Sequence, residues 1–267
     1  MKASNSFFLI LIPLIIAVGW ISCNKPDTAP TSYKLSYGDS IIYLQPSSAD
    51  YIVYPTEQKA GIYSAFPEGI ELDDKTGAIN VSKSETGLRY RITHTATDGK
   101  VTSTLVVISG INFTDHFFHL SQGDSIALPV YNANASRILP LNGSSFDEGN
   151  GANSGGCSVK TINGQINLAQ TVRNGVFGTP PINNERRDFD VAYRINDASG
   201  KSLNKLRVRI YYYNTMADVA ADLMQTLQDR EAAGVFLAAN NSNPVGAASR
   251  GAAAAKPRPP CVIIVGQ

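Results

Sequence analysis

Leu35-Ser36-Tyr37-Gly38-Asp39-Ser40-Ile41 opens one stretch of this chain, and Leu120-Ser121-Gln122-Gly123-Asp124-Ser125-Ile126 opens another. The two stretches also close alike. Thr76-Gly77-Ala78-Ile79-Asn80-Val81 answers to Asn163-Gly164-Gln165-Ile166-Asn167-Leu168, and Asp98-Gly99-Lys100 answers to Ser199-Gly200-Lys201. A run of β-strand character follows each of the last two phrases. Landmarks kept in one order across two stretches are the mark of a duplicated structural unit.

Working outward, the 267 residues carry a net charge of +1, which gives no electrostatic reason for a nucleic-acid partner. Tyrosine, valine, isoleucine and threonine alternate with polar residues through the middle, and glycine and asparagine punctuate them, which predicts short strands and turns. Leu88, Tyr90 and Ile92 alternate along one predicted strand. Leu206, Val208 and Ile210 alternate with Arg207 and Arg209 along another, giving one buried and one wet face. Asn163-Gly164 predicts a two-residue hairpin turn, and the glycine-rich run 142–158 reads as a long exposed loop. After Asn214 the period becomes helical: Met216, Val219, Ala220, Leu223, Met224 and Leu227 share a face behind a Thr215 N-cap. That helix reads either as packed on the second unit or as a partner-binding surface. Residues 240–260 are alanine, glycine, asparagine and proline, a composition that predicts disorder. Cys261-Val262-Ile263-Ile264-Val265 is too apolar to stand in water. It is expected to add to a sheet or to pair with another chain.

Phe66-Pro67-Glu68-Gly69-Ile70-Glu71-Leu72-Asp73-Asp74-Lys75-Thr76-Gly77-Ala78-Ile79 is similar to the signature phrase of bacterial putative-Ig and cadherin-like repeats. That resemblance implies a mainly β fold of two tandem Ig/cadherin-like β-sandwiches, at 33–112 and 113–214. A helix at 215–239, a disordered linker at 240–260 and a terminal strand at 261–267 complete the chain. The first sandwich is expected to fold alone.

The first 22 residues read as a leader: a basic Lys2, an apolar run from Phe7 to Val18, then small residues. Ile21-Ser22-Cys23 resembles the end of a bacterial lipobox, with Trp20 where a leucine-like residue is usual. The resemblance implies a Bacteroidetes-type envelope lipoprotein, cut before Cys23 and lipidated there, for example with palmitate. It is expected in the outer membrane, since Asn24 follows the cysteine, and residues 23–32 form its tether.

Asp27-Thr28-Ala29, Asp39-Ser40-Ile41 and Asp124-Ser125-Ile126 each resemble the O-glycosylation acceptor of such envelopes, which makes Thr28, Ser40 and Ser125 candidate acceptors. With Cys23 lipidated, Cys157 and Cys261 are an even pair in an oxidising compartment and are expected to form a disulfide. Two thiols, or a Cys261 used between chains, are the alternatives. Glu71, Asp73, Asp74 and Asp98 resemble the calcium-binding acids of cadherin repeats, but Ile111-Asn112-Phe113 stands where the acidic linker would be, and solvated turns account for them. His116 and His119 point to opposite faces of a strand and have no Cys/His cluster beside them, so no metal site is read. No Ser/His/Asp or paired-carboxylate arrangement points to catalysis, and no cofactor is implied. Tyr211-Tyr212-Tyr213 is read as an edge strand, or as a partial platform for sugar. The expectation is a non-enzymatic, lipid-anchored binding or adhesion module for a protein or glycan ligand. The alternative is a structural accessory subunit of an envelope complex for glycan uptake or fibre assembly.

Overall fold

Alternation along strands and left-handed turn glycines dictate most of what is seen. The computed structural model describes residues 33–47, 49–232, 236 and 260–267. Cys23, Thr28 and nearly all of the 240–260 linker lie outside the described residues. The fold is mainly β. The first half contains β1 (Ile41–Ile42), β2 (Ile52–Val53), β3 (Gly61–Phe66), β4 (Glu71–Leu72), β5 (Ile79–Asn80), β6 (Arg89–Ala96), β7 (Val101–Ile108) and β8 (Ile111–Asn112). The second contains β9 (His116–His119), β10 (Ile126–Ala127), β11 (Val130–Tyr131), β12 (Ser145–Phe146), β13 (Ser158–Val159), β14 (Ile166–Asn167), β15 (Glu185–Arg194), β16 (Asn204–Tyr213) and β17 (Cys261–Val265). Among the described residues the α-helices, α1 (Gly151–Ser154), α2 (Leu168–Arg173) and α3 (Ala221–Ala232), all belong to the second half.

The sheets run β1-β7-β6-β3 and β2-β5-β4 in the first half, and β10-β14-β13 and β12-β15-β16-β17-β9 in the second. The β6–β7 and β15–β16 hairpins turn at the two answering phrases, Asp98-Gly99 and Ser199-Gly200. The other closing phrases also take matching places, in the β4–β5 and β13–β14 hairpins. Gly77 and Gly164 both have positive φ, and an aromatic ring lies on each: a Cβ would stand 2.7 Å from Tyr63 and 2.8 Å from Phe146. Only glycine fits such a turn beneath a ring.

The opening phrases behave differently. Ile41 enters β1 and pairs with β7, whereas Ile126 enters β10 and pairs with β14. The repeat in sequence is therefore faithful at its end and displaced at its start.

Three local expectations change. The Asn163-Gly164 turn is wider than two residues: Lys160 accepts from Gly164 N–H at 2.8 Å and donates to Gln165. Residues 142–158 are not an exposed loop. Asp147, only 3% exposed, accepts from the N–H groups of Ala152 and Asn153 and from the Asn153 side-chain amide, and so folds α1 against β15. After Asn214 comes a 3-10 turn, Met216–Asp218, closed by Asp218 accepting from the Thr215 N–H and hydroxyl; α3 starts only at Ala221.

Lys34–Gln267 forms one compact unit, so the halves share an interface. β8 pairs with β11 across it. The fully buried Tyr193 hydroxyl lies 2.6 Å from Thr86 Oγ1 and accepts from Ile111 N–H at 3.2 Å. Asn112 Nδ2 donates to Glu85 Oε1 at 2.7 Å, and Gly110 N–H to Asn132 Oδ1 at 2.9 Å. Buried polar groups require such partners; Tyr193 and Asn132 draw theirs from the first half, whereas the Asn112–Glu85 bond braces the first half's own side of the seam.

Candidate functional site

β17 decides the geometry of the second half. It lies in parallel between β16 and β9, and all five of its residues are buried. A strand covered on both faces reads as a continuous apolar run, which accounts for Cys-Val-Ile-Ile-Val. Val262 and Ile264 enter the main core with Phe118, Val208 and Ile210. Alternation sends Cys261 and Ile263 to the opposite face, where Leu223 and Leu227 of α3 cover them together with Tyr213. The Tyr211–Tyr213 strand is therefore central in its sheet and not an edge.

The same alternation separates the cysteines. Cys157 sits in the main core, Cys261 in the cluster under α3, and both are thiols. The expected Cys157–Cys261 disulfide is not formed: the sheet lies between the two side chains. Burial pushes the Cys157 thiol up to about 12. Cys261 Sγ accepts instead from Arg230 Nη1 at 3.0 Å.

Because α3 covers only part of this sheet face, a cleft of about 590 Å³ opens beside it. Its floor comes from Arg186 of β15 and from Arg209, Tyr211 and Tyr213 of β16; along this sheet face Arg186 lies opposite Tyr211, Asp188 opposite Arg209 and, beyond the cleft, Asp190 opposite Arg207. Arg209 donates to both Asp188 oxygens, at 2.7 and 2.9 Å, and Arg207 reaches Asp190 at 2.9 and 3.4 Å. These forked pairs hold both carboxyls below the usual carboxylate range and keep Arg209 more firmly charged than an ordinary guanidinium. Tyr211 and Tyr213 stack with ring centroids 6.4 Å apart and planes 9° from parallel. Tyr213 is buried, and Tyr211 is half-buried at the cleft. Asp222, Thr226 and Arg230 close the helix side.

Arg230 is held at its own end. It lies 3.4 Å from Asp115, whose Oδ1 also accepts from the Cys261 N–H at 2.7 Å. Arg186 is exposed, and among the described residues it makes no ion pair. The cleft thus offers an exposed guanidinium, whose charge is felt by Asp188 but which is held by no close ion pair among the described residues, beside an aromatic ring and several hydroxyl and carboxylate groups. That set can grip a hydroxyl-rich ligand carrying an acidic group.

The other singled-out residues lie elsewhere. Ser40 is exposed and Ser125 half-buried, each directly before a short strand, with their carbonyls accepting from Val107 and Leu168. Asp73 accepts from Lys75 and Thr76 within its own turn, and Asp98 from Lys100. These local bonds lower both carboxyls. Among the described residues no group of three or more His, Cys, Asp or Glu stands together as a metal site. His116 faces Asp124 at 3.5 Å and the Phe118 ring edge-on.

Sequence reasoning missed Asp115, Arg186 and Arg230. A register signal was present for the sheet face on which the cleft lies. Counting outward from the Ser199-Gly200 turn sets Asp190 against Arg207 and Asp188 against Arg209. Asp115 and Arg230 have no such signal, because they meet only through β17. No protein-family model matches the chain, and no curated protein matches it as a relative.

Proposed function

We propose that this chain is a lipid-anchored envelope protein, held through Cys23, whose two Ig/cadherin-like sandwiches carry a non-enzymatic binding or adhesion module. The cleft beside α3 is its ligand site. The observation that carries this reading is the exposed Arg186 set opposite Tyr211 on a face that α3 leaves open. Tyr211 supplies a stacking surface, and Arg186 supplies a fork of donors suited to a carboxylate. A glycan containing uronic acid, or an acidic protein segment, has the matching chemistry.

Calorimetric titration with a panel of neutral and uronic-acid polysaccharides tests the cleft. An acidic member should bind, and Arg186→Ala and Tyr211→Ala should each weaken it about tenfold, the effect of losing about 1.4 kcal/mol. A polysaccharide that binds equally well to both variants would remove the cleft from the reading. Palmitate labelling tests the anchor: the label should be present in the wild type and absent from Cys23→Ala.

A second reading, a structural accessory subunit in fibre assembly or glycan uptake, is favoured by one feature, the β17 strand that fills the middle of a sheet from the far end of the chain.

A further inference from the structure

In the first half, the last strand of the large sheet, β7, takes its parallel partner from the start of that half: β1 pairs Ile41 with Val107 and Ile42 with Ile108. In the second half the corresponding place beside β16 is not taken by the leading strand. β9 stands one position further out, and β17 fills the gap, bonded in parallel on both sides. The second half is therefore completed by a segment that arrives after everything else in it has been made.

The connection to that segment is far longer than its geometry requires. Arg230, in the last turn of α3, touches Cys261 at the start of β17. Residues 233–259 run between these neighbouring points. Connections this long between neighbouring points are uncommon in compact folds. Fully extended, a run of that length reaches about 90 Å, enough to span to an adjacent molecule.

The slot also has the features of a strand-recognition site. Backbone groups of β9 and β16 bond the incoming strand, alternate pockets take Val262 and Ile264 on one side and Ile263 on the other, and the Asp115 carboxylate captures the first N–H. Main-chain bonding with alternate side-chain pockets is how sheets capture a strand.

We infer that β17 is an exchangeable strand, and that its second occupant is the β17 of another copy of this chain, entering the β9–β16 slot of its neighbour. The visiting strand brings Cys261 to the lining of the receiving copy's cleft, so the site of one molecule is completed by the other. The tether holds each strand near its own slot at an effective concentration on the order of millimolar. Dilute protein is therefore monomeric, and crowding of the chains drives exchange. The inference does not depend on which ligand the cleft takes, and its failure would leave polysaccharide binding unchanged.

The test uses the full chain with a specific protease site placed within residues 243–249, prepared in 14N and 15N forms. The two forms are equilibrated together at about 1 mM, in the range where trans and cis occupancy compete, and then diluted cold. Native mass spectrometry should show dimers with one chain of each label. Cutting the tether should turn those dimers into monomers whose bodies hold strand fragments of the other label, because the tether is what links exchanged copies. A fluorescent peptide of Pro260–Gln267 should enter the cut protein at least tenfold more readily than the uncut chain, and its Ile264→Asp form should not enter. A chain that stays monomeric up to that concentration, or dimers that survive cutting, would overturn the inference. Refusal of the peptide by a cut protein that keeps its far-ultraviolet spectrum would do the same. If the cut protein loses that spectrum, the mixed-label dimer of the uncut chain decides.

Discussion

Replacing Tyr193 by phenylalanine should cost the whole molecule about 2 kcal/mol, although the ring stays in place. The hydroxyl is fully buried between the halves. It stands 2.6 Å from Thr86 Oγ1, which donates onward to the Ile111 carbonyl at 3.3 Å, and it accepts from the Ile111 N–H at 3.2 Å. Phenylalanine leaves that N–H buried without an acceptor, which costs about 1–3 kcal/mol, and it opens almost no cavity. For a unit of this size the melting temperature should fall by about 4–8 °C. Urea denaturation should show a lower midpoint at an unchanged slope, because the surface exposed on unfolding is the same. A Tyr193→Phe, Thr86→Val cycle should give a coupling of at least about 0.5 kcal/mol, since the two groups share one bond. Alkaline pH supplies an independent check. Burial raises the Tyr193 phenol from near 10 to about 12. The unfolded chain therefore loses this proton first, and stability falls as pH rises from about 10 to 12, by on the order of 2–3 kcal/mol for this group. The variant should lack that component. A Tyr193→Phe protein within about 0.3 kcal/mol of wild type, with the same alkaline profile, would show that this hydroxyl couples nothing across the seam.

The remaining predictions concern the second half. Non-reducing peptide maps should contain no Cys157–Cys261 peptide, and maleimide at pH 8 should label Cys157 only after unfolding, because the thiol is buried and its proton is held; rapid native labelling would show that the core opens there. Asp115→Ala should destabilise the protein by about 2–3 kcal/mol, seen as a lower urea midpoint, since it removes the counter-charge of Arg230 and the acceptor of the Cys261 N–H together. An unchanged midpoint would mean that β17 is held by its apolar contacts alone.

Local chemistry was legible in the chain itself. Alternation along Leu206–Tyr213 determined which face of β16 is buried, and the glycines of the answering phrases determined where the hairpins turn, because side-chain period and positive φ are properties of neighbouring residues. The apolar run 261–265 announced a segment that joins a sheet or pairs with another chain. What the strand lies between was not written there. Its partners, β9 and β16, are called up by hydrogen bonds between segments far apart in the chain, and no short-range pattern records such a choice. The failed disulfide has the same origin: an even cysteine count is visible in sequence, whereas the sheet separating Cys157 from Cys261 exists only once β17 is inserted. Arg186 opposite Tyr211 follows from hairpin register and could be counted from the turn. The Asp115, Arg230 and Cys261 contact could not, because three distant segments meet there only when the terminal strand takes its place under α3.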